Sequence, residues 1–429
     1  MSAPLNRHVA ALARTGMTRF FRRLFEDAPD LFLKNLTVEA IGPDRTFRVG
    51  GRWVRNFGSD SFLGLDQHPA VKAAVERGVR EWGAHNGTSR AFSSVGPNVE
   101  AEAKIAAWLG TEDAVIYPSV TLANAGAIPA LASRHDVVVA DQHAHNSIDE
   151  GMRLAKARGV RTAKFAHNDP DDLERALRDQ RPYRHATVAV DGVYSMSGAL
   201  PPLAEFQRVA RRNDAFLYVD DAHGTGVVGT AGRGTVRDAL GGYDNTLVVG
   251  SLSKAVSCLG GFVAGDRAAI DVLKLRSNSL IFGGPVPPPY LVAVCAAIDV
   301  ITSPEYDRIR SALDANVSRL IDGATELGLA VLGGAVPIVS VLVGDEQATL
   351  QAGRFLFDAG YYVQSVVFPA VPHGAGVLRI QVNANHPPEA VEGLLAALAD
   401  LKQAVALPTP DEAVVRLPDP AERPDAILA

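Results

Sequence analysis

The chain has 429 residues, of which 47% are hydrophobic and 21% are charged, and its formal net charge at pH 7 is −6. This length and composition are typical of a soluble globular protein with two or more lobes, and the acidic balance without a basic run argues against nucleic acid as a main partner. Because Cys258 and Cys295 are the only cysteines, neither a disulfide framework nor a thiolate metal site is available, so we expect no metal and a reducing, cytoplasmic compartment.

The N-terminal region predicts no signal peptide, because arginines interrupt residues 1–27 and no apolar core segment follows. Residues 9–27 predict an amphipathic helix, and residues 36–58 predict short strands. Two long uncharged stretches, residues 114–133 and 278–298, contain residues that would interrupt a membrane-spanning helix. We therefore expect these stretches to be buried core segments and expect no membrane span.

From about residue 66 the pattern alternates between helices and strands. The predicted elements of this region are, in chain order, helices 71–82 and 99–109, strands 113–117 and 137–140, helix 170–179 and strand 246–250. The segments ATVAVDGVYS, AFLYVDDAHGTG and NTLVVGSLSK each run from an apolar strand into a polar or glycine-rich end. This pattern predicts a mostly parallel sheet with helices on both faces, which binds its ligand at the carboxyl ends of the strands.

The C-terminal third has a different pattern. A proline run at residues 287–289 precedes a helical region that extends to about residue 327, and short strands and helices follow. This mixture predicts a smaller α+β lobe. We therefore expect four segments along the chain: an N-terminal helix with short strands at 1–60, a large α/β domain at 61–300, a small C-terminal domain at 301–407 and a mobile proline-rich tail at 408–429.

Lys254 lies directly after the apolar strand TLVVG and among small hydroxyl residues, where a solvated lysine is uncommon. Asp220 ends the strand of VDDAHGTG, and His223 follows three residues later. Asp220 and Lys254 could form a structural ion pair. Alternatively, Lys254 could form a Schiff base with a pyridine-ring cofactor whose protonated nitrogen pairs with Asp220, as in pyridoxal phosphate enzymes.

Two further groups of residues suit such a ring. His143 and His145 follow the strand DVVVAD, and either could lie flat against an aromatic ring, although a histidine in this position is more often a core or surface residue. The segment YPSVTLANAG could begin a helix whose first N–H groups face a phosphate, with Ser251 and Ser253 adding hydroxyl groups.

Six segments, in this order along the chain, resemble the α-oxoamine synthase family: HNGTSR, DQHAHNSI, FAHNDPDDL, DGVYSMSGALPPL, VDDAHGTGVVGTAGRG and VGSLSKAVSCLGGFVAG. The resemblance runs from about residue 57 to about residue 405. It implies a fold-type I pyridoxal 5'-phosphate-dependent α/β transferase, with a large, mostly parallel sheet domain of the seven-stranded type and a smaller C-terminal α+β domain. It also implies a homodimer whose active site lies at the subunit interface.

The resemblance also implies roles for individual residues. Lys254 matches the lysine that forms the Schiff base and later takes a proton, and Asp220 matches the partner of the ring nitrogen. His145 matches the histidine that stacks on the ring, and His223 matches the histidine at the ring hydroxyl. Three further residues match binding positions: Ser195 near the same hydroxyl oxygen, Ser251 at the phosphate and Arg379 at the amino-acid carboxylate.

Several positions depart from the family pattern near the phosphate and the substrates. Val120 and Thr121 stand where relatives have a glycine and an aromatic residue, so Thr121 is the candidate hydroxyl there. Asp60 or Ser61 stands in place of an asparagine near the substrate carboxylate, Asn98 in place of a histidine, and Val367 in place of an arginine. Gly283 and Gly284 lie in a segment where relatives reach the neighbouring subunit's phosphate through a Ser or Thr. These changes leave the ring chemistry intact and the substrates open.

The resemblance predicts an acyltransferase. It would condense glycine, alanine or serine with an acyl thioester, carried on CoA or on an acyl carrier protein, and release CO2 and an α-aminoketone. Because Val367 removes one candidate cation, we expect an uncharged acyl chain. Two alternatives stay open: a fold-type I aminotransferase or lyase, and a catalytically inactive subunit of a heterodimer.

Overall fold

The computed structural model describes residues 3–27, 29–31 and 33–412. The tail predicted at 408–429 therefore lies for the most part outside the described residues. The chain divides into two compact units. The large unit comprises Asp60–Ala315 and Asn383–Asn385, and the small unit comprises Met1–Ser59, Asn316–Val382 and His386–Ala429.

The α-helices are α1 Pro4–Leu12, α2 Gly16–Asp27, α3 Pro69–Trp82, α4 Gly96–Leu109, α5 Val120–Leu131, α6 Asn146–Ala157, α7 Pro170–Asp179, α8 Leu203–Arg212, α9 Gly234–Leu240, α10 Arg267–Arg276, α11 Asn278–Phe282, α12 Pro288–Ile301, α13 Glu305–Glu326, α14 Glu346–Asp358 and α15 Pro388–Ala404. The strands are β1 Ala40–Ile41, β2 Thr46–Val49, β3 Arg52–Asn56, β4 Asp113–Tyr117, β5 Val137–Asp141, β6 Arg161–Phe165, β7 Ala186–Asp191, β8 Ala215–Asp220, β9 Thr246–Ser251, β10 Gly261–Gly265, β11 Val331–Leu332, β12 Ile338–Gly344, β13 Tyr361–Tyr362, β14 Gln364–Val366 and β15 Gly376–Gln381.

A seven-stranded sheet in the order β4-β10-β9-β8-β7-β5-β6 forms the centre of the large unit. The five strands from β9 to β6 run parallel, whereas β10 runs antiparallel to both of its neighbours. Every residue of β5, β7 and β9 is buried, as expected for strands that helices cover on both faces. The predicted mostly parallel sheet of seven strands is confirmed.

Helices α5 and α6 bury their apolar faces against this sheet. Ile128 of α5 and Ile148 of α6 belong to one buried cluster with Val138, Tyr218 and Val249 from three of the strands. The cluster fixes α5 beside the carboxyl end of β8. A polar side chain on the buried face of α5 is therefore held against the strand ends.

The small unit contains two four-stranded sheets, in the orders β1-β2-β3-β13 and β11-β12-β15-β14. In the second sheet the central strand β15 is buried along its whole length and pairs with β12 on one side and β14 on the other. Arg379, a charged residue, therefore lies in the middle of a buried strand and is only 4% exposed. A buried guanidinium requires a partner, since an isolated buried charge is costly.

The structure divides two regions that the sequence predicted as continuous. The helix expected at 9–27 is two helices, α1 and α2, because the chain turns at Gly16, whose φ is 53°. The helical region from 290 to 327 is interrupted between α12 and α13, where Pro304 supplies no N–H for a continuous helix. Among the helices of the described part of the chain, none is both long enough and apolar enough to cross a membrane.

Candidate active site

Three aspartates end neighbouring parallel strands and meet at one edge of the large sheet. Asp141 ends β5, Asp191 ends β7 and Asp220 ends β8, and the last two are in register. Their exposures are 0%, 2% and 4%. The sequence identified Asp220 but not Asp141 and Asp191, although all three share one signal, an apolar run that stops at an aspartate. This edge is the candidate active site.

The buried carboxylates of Asp191 and Asp220 have different surroundings. Burial and the neighbouring Asp220 charge raise the pKa of Asp191 well above its usual range, although the His145 backbone N–H and the charge of Lys254 act in the opposite direction. Asp220 accepts hydrogen bonds from the Asn124 side-chain amide at 2.6 Å and from the Ala222 N–H at 3.2 Å. Asp220 is therefore held at the strand ends by donors from α5 and from its own turn.

Asp221, the second aspartate of VDDAHGTG, has a structural environment instead. Its carboxylate accepts the Thr235 N–H at 3.0 Å, the Thr235 hydroxyl at 2.6 Å and the Thr225 hydroxyl at 3.2 Å. A Cβ at Gly192 or at Gly234 would lie 2.2 Å or 1.9 Å from this carboxylate. Burial raises the pKa of Asp221 to about 7. Asp221 is thus enclosed by its own loops, and it is not the carboxylate that faces a ligand.

Lys254 lies in a tight turn after β9. The turn is closed by backbone bonds from the Cys258 N–H to the Leu252 carbonyl at 2.7 Å and from the Ser257 N–H to the Lys254 carbonyl at 2.8 Å. Lys254 is half-buried, and the Ala255 that follows it is 1% exposed. The strand before it pairs with β8, so that Val249 lies opposite Asp220. The topology therefore brings Lys254 and Asp220 to the same sheet edge, as the sequence predicted.

Ser257, at the end of this turn, has a φ of 58°, in the left-handed region that favours glycine. Its hydroxyl donates to the Lys254 carbonyl at 3.2 Å and forms a 2.8 Å bond with the Ser61 hydroxyl. Ser61, predicted at the substrate carboxylate, therefore ties the Lys254 turn to the segment that also carries Asp60. Both Asp60 and Ser61 are half-buried.

His145 and His143, which follow β5, occupy different positions. His145 is the N-cap of α6, its backbone N–H donates to Asp191 at 3.0 Å, and its Nδ1 lies 2.7 Å from the Ser147 hydroxyl. The ring of His143 instead stacks on the ring of His167, with 4.2 Å between centroids, and His167 bonds Asp141 at 3.0 Å. His143 thus has a protein ring as its neighbour, which favours His145 as the cofactor-facing histidine.

The remaining predicted residues follow the strand ends as well. Ser195 lies in the loop after β7 and is 8% exposed, and His223 lies in the turn after β8 and is 6% exposed. The sequence did not identify Asn124, on α5, which is fully buried and reaches Asp220. An amide in an apolar helix carries no sequence signal of that contact.

The N-terminus of α5 forms a candidate phosphate site. Ser119 caps the helix by accepting the Leu122 N–H at 3.2 Å, and Val120 and Thr121 open the first turn, where N–H groups have no partner within the helix. A Cβ at Gly261 would lie 2.6 Å from the Val120 nitrogen, so the close approach of β10 requires glycine. Ser251, which ends β9, is 1% exposed and bonds the Ser253 hydroxyl at 3.0 Å.

The departures from the family pattern are located as follows. Gly283 is the C-cap of α11, and Ser279 of that helix donates to the Leu122 carbonyl in the first turn of α5 at 2.6 Å. Asn98 is 2% exposed in the first turn of α4. In the small unit, the Arg379 guanidinium donates to the Gln364 side-chain oxygen at 2.9 Å, and Val367 is 9% exposed.

The groups at this edge match the chemistry of pyridoxal phosphate. A buried carboxylate suits a protonated ring nitrogen, a lysine suits the aldehyde carbon, and a helix N-terminus with nearby hydroxyl groups suits the phosphate. These features define the class of protein: a fold-type I pyridoxal phosphate transferase.

Comparisons with known proteins narrow the class. A sequence profile of the family described as aminotransferase class I and II matches residues 53–398. The 8-amino-7-oxononanoate synthase of Geobacter sulfurreducens is 37% identical over 350 residues, 81% of this chain and 89% of that protein. The enzyme of the same name from Maricaulis maris is 38% identical over 355 residues, 82% of this chain and 88% of that protein.

Solved structures agree with these relatives. The serine palmitoyltransferase of Sphingomonas wittichii has a TM-score of 0.87 at 26% identity and covers 95% of this chain and 100% of its own. The serine palmitoyltransferase of S. paucimobilis, with bound PLP and myriocin, has a TM-score of 0.86 at 26% identity and covers 94% and 99%.

The chain belongs to the aminotransferase class I and II family and, within it, to the α-oxoamine synthases. It is a pyridoxal phosphate-dependent acyltransferase that condenses an amino acid with an acyl thioester and releases CO2. These relatives favour the synthase over the aminotransferase or lyase that the sequence left open.

The Ser257 contacts generate a stability prediction. Ser257→Ala removes the bond to Ser61 and keeps the left-handed backbone, so we expect a loss of about 1 kcal/mol in the free energy of unfolding. Ser257→Gly removes the same bond and relieves the backbone, so we expect it to be about 1 kcal/mol more stable than Ser257→Ala. Urea unfolding of the two variants, with Ser61→Ala as the control for the hydrogen bond alone, measures both. Equal stability of the alanine and glycine variants would show that the left-handed backbone at residue 257 is not strained.

Proposed function

We propose that Lys254, Asp220, His145 and His223 form the catalytic centre of this condensation, with a small amino acid and an uncharged acyl thioester as substrates. The amino acid is glycine, alanine or serine, and the acyl carrier is CoA or an acyl carrier protein. The observation that carries the proposal is the buried Asp220 carboxylate at the sheet edge, with Lys254 in the turn after the neighbouring strand.

Pyridoxal phosphate, when bound, supplies an electron sink for negative charge on the α-carbon of the amino acid. Asp220 would keep the ring nitrogen protonated, because a buried, hydrogen-bonded carboxylate suits a cationic partner. His145 would lie against the ring face. The remaining contacts in this proposal are Ser195 and His223 at the ring hydroxyl, and Ser251, Thr121 and the Val120 N–H at the phosphate.

Lys254 moves the proton in this proposal. Its Nζ takes the α-proton of the amino acid as a general base. Arg379 holds the amino-acid carboxylate, which orients the α-carbon bonds for reaction. Asp60 and Ser61 support the same substrate. The α-carbon then bonds the acyl carbon and the thiol leaves. The carboxylate departs as CO2, and the α-carbon regains a proton from the Lys254 Nζ, which leaves an α-aminoketone.

The acyl chain is the less constrained substrate. The name 8-amino-7-oxononanoate describes a product with a carboxylate at the end of its chain far from the amino group. In the present chain the apolar Val367 replaces a family arginine and is buried, so it offers no charge to such a carboxylate. This residue supports an acyl chain without a terminal charge.

We also propose a homodimer in the cytoplasm. Large apolar side chains near one another in the large unit are exposed, including Phe92 at 86% and Phe282 at 80%. The Ser89 hydroxyl, in the turn that carries Phe92, donates to the Ile281 carbonyl at 2.7 Å, which places the two phenylalanines on one surface. Apolar surface of this kind marks an interaction site. Light scattering that gave the mass of a single chain would contradict the dimer.

A substrate panel tests the proposed function. The holoenzyme is incubated with glycine, alanine or serine and with plain or dicarboxylic acyl thioesters, and CO2 release and product mass are measured. We expect CO2 with one of the three amino acids and a plain acyl thioester. Lys254→Ala should fold and lose this turnover, because the proton acceptor is gone. Near wild-type turnover in Lys254→Ala would refute the role of Lys254 as proton acceptor. A preference for the dicarboxylic thioester would refute the uncharged acyl chain.

The carboxylate role of Arg379 gives a separate prediction. Arg379→Ala should weaken amino-acid binding by roughly 2–3 kcal/mol, because a charge-assisted pair is lost, while thioester affinity changes little. Titration of the cofactor absorbance with amino acid measures the binding. Arg354→Ala, which removes an exposed arginine paired with Asp358, is the matched control and should leave both affinities unchanged. Unchanged amino-acid affinity in Arg379→Ala would remove the assignment.

A further inference from the structure

Asn124 joins two parts of the candidate site through one side-chain amide. It lies on α5, is fully buried, and reaches three partners on two other elements, β8 and α6. Its Nδ2 lies 2.6 Å from Asp220 Oδ2 and 2.8 Å from the Ser147 hydroxyl. Its Oδ1 accepts the Tyr218 hydroxyl at 2.8 Å. Both amide hydrogens and the amide oxygen are therefore used.

The chemistry of the partners fixes the direction of these bonds. The Asn124 NH2 group faces Asp220 Oδ2 and its oxygen faces the Tyr218 hydroxyl, which matches an accepting carboxylate and a donating hydroxyl. Burial and the Asp220 charge raise the pKa of Tyr218 well above its usual range, which keeps its hydroxyl protonated as the donor. The second amide hydrogen is then directed at the Ser147 oxygen.

The donor–acceptor order of these hydrogen bonds also determines which nitrogen of His145 is protonated. Because the Ser147 oxygen accepts from Asn124, its own hydrogen is available for His145 Nδ1, 2.7 Å away. The Ser147 backbone N–H also points at Nδ1, at 3.2 Å. Two donors directed at Nδ1 make it an acceptor, so the neutral ring carries its proton on Nε2.

We propose that Asn124 is a positioning residue that holds Asp220 as a hydrogen-bond acceptor and, through Ser147, fixes the Nε2–H tautomer of His145. One amide thereby sets the proton arrangement on two groups of the site. The part that concerns His145 depends only on contacts within the protein. The part that concerns Asp220 and the ring nitrogen rests on the proposed function.

Histidine NMR tests the His145 part without cofactor. The apo-protein is labelled with 15N-histidine and measured above the pH at which histidine titrates, and His145 is assigned, among 11 histidines, by its absence in His145→Gln. We expect wild type to show only the Nε2–H pattern. Tyr218→Phe, the matched control, keeps both amide donors and should show the same pattern.

Two variants should change the tautomer. Asn124→Asp replaces the amide donors with a carboxylate that accepts the Ser147 hydrogen, and Ser147→Ala removes that hydrogen altogether. Each should give a measurable Nδ1–H population in His145. If Asn124→Asp does not fold, Ser147→Ala carries the test. An Nδ1–H tautomer in wild type, or pure Nε2–H in the folded variants, would overturn the proposal.

Proton exchange tests the Asp220 part in the holoenzyme. Asn124→Ala removes a charge-assisted hydrogen bond to Asp220, so exchange of the amino acid's α-proton with solvent should slow by about tenfold or more. Cofactor affinity should change much less. Equal losses in both would overturn this part, whereas absence of exchange in wild type would instead contradict the proposed function and leave the tautomer result intact.

Discussion

Two carboxylates, those of Asp191 and Asp220, are buried in register at the ends of neighbouring parallel strands. Burial and the neighbouring Asp220 charge raise the pKa of Asp191 well above its usual range, because two adjacent buried negative charges are unfavourable. The Asp220 carboxylate then requires hydrogen-bond donors and a positively charged partner. Asn124 and the Ala222 N–H donate to it, and the proposed ring nitrogen would supply the positive partner.

The strand order explains how distant residues meet at this pair. Parallel strands place their carboxyl ends at one edge, so each chain segment that leaves β5, β7, β8 or β9 begins beside the others. His145, Ser195, His223 and Lys254 each follow one of these strands within a few residues. The four residues are therefore brought together by the sheet itself, and their meeting does not depend on the packing of long loops.

This construction also explains what could be predicted from the sequence. Apolar runs that stop at polar residues mark strand ends, and strand ends in a parallel sheet lead to Asp220 and Lys254 without coordinates. Asn124 could not be found in this way, because it sits in an apolar helix almost a hundred residues before its partner Asp220. The Ser61–Ser257 bond was hidden for the same reason, since it joins segments 196 residues apart. The turn at Gly16 was missed because the apolar periodicity continues across it.

The central claim is that Asp220, and not its neighbour Asp221, is the carboxylate that supports the chemistry. Asp220→Asn and Asp221→Asn are matched substitutions at adjacent buried positions, and exchange of the amino acid's α-proton into deuterated water can be followed for both holoenzymes. We expect Asp220→Asn to slow the exchange far more than it weakens cofactor binding, and Asp221→Asn to lower thermal stability while the folded protein still exchanges. Loss of exchange in Asp221→Asn with retention in Asp220→Asn would contradict the account.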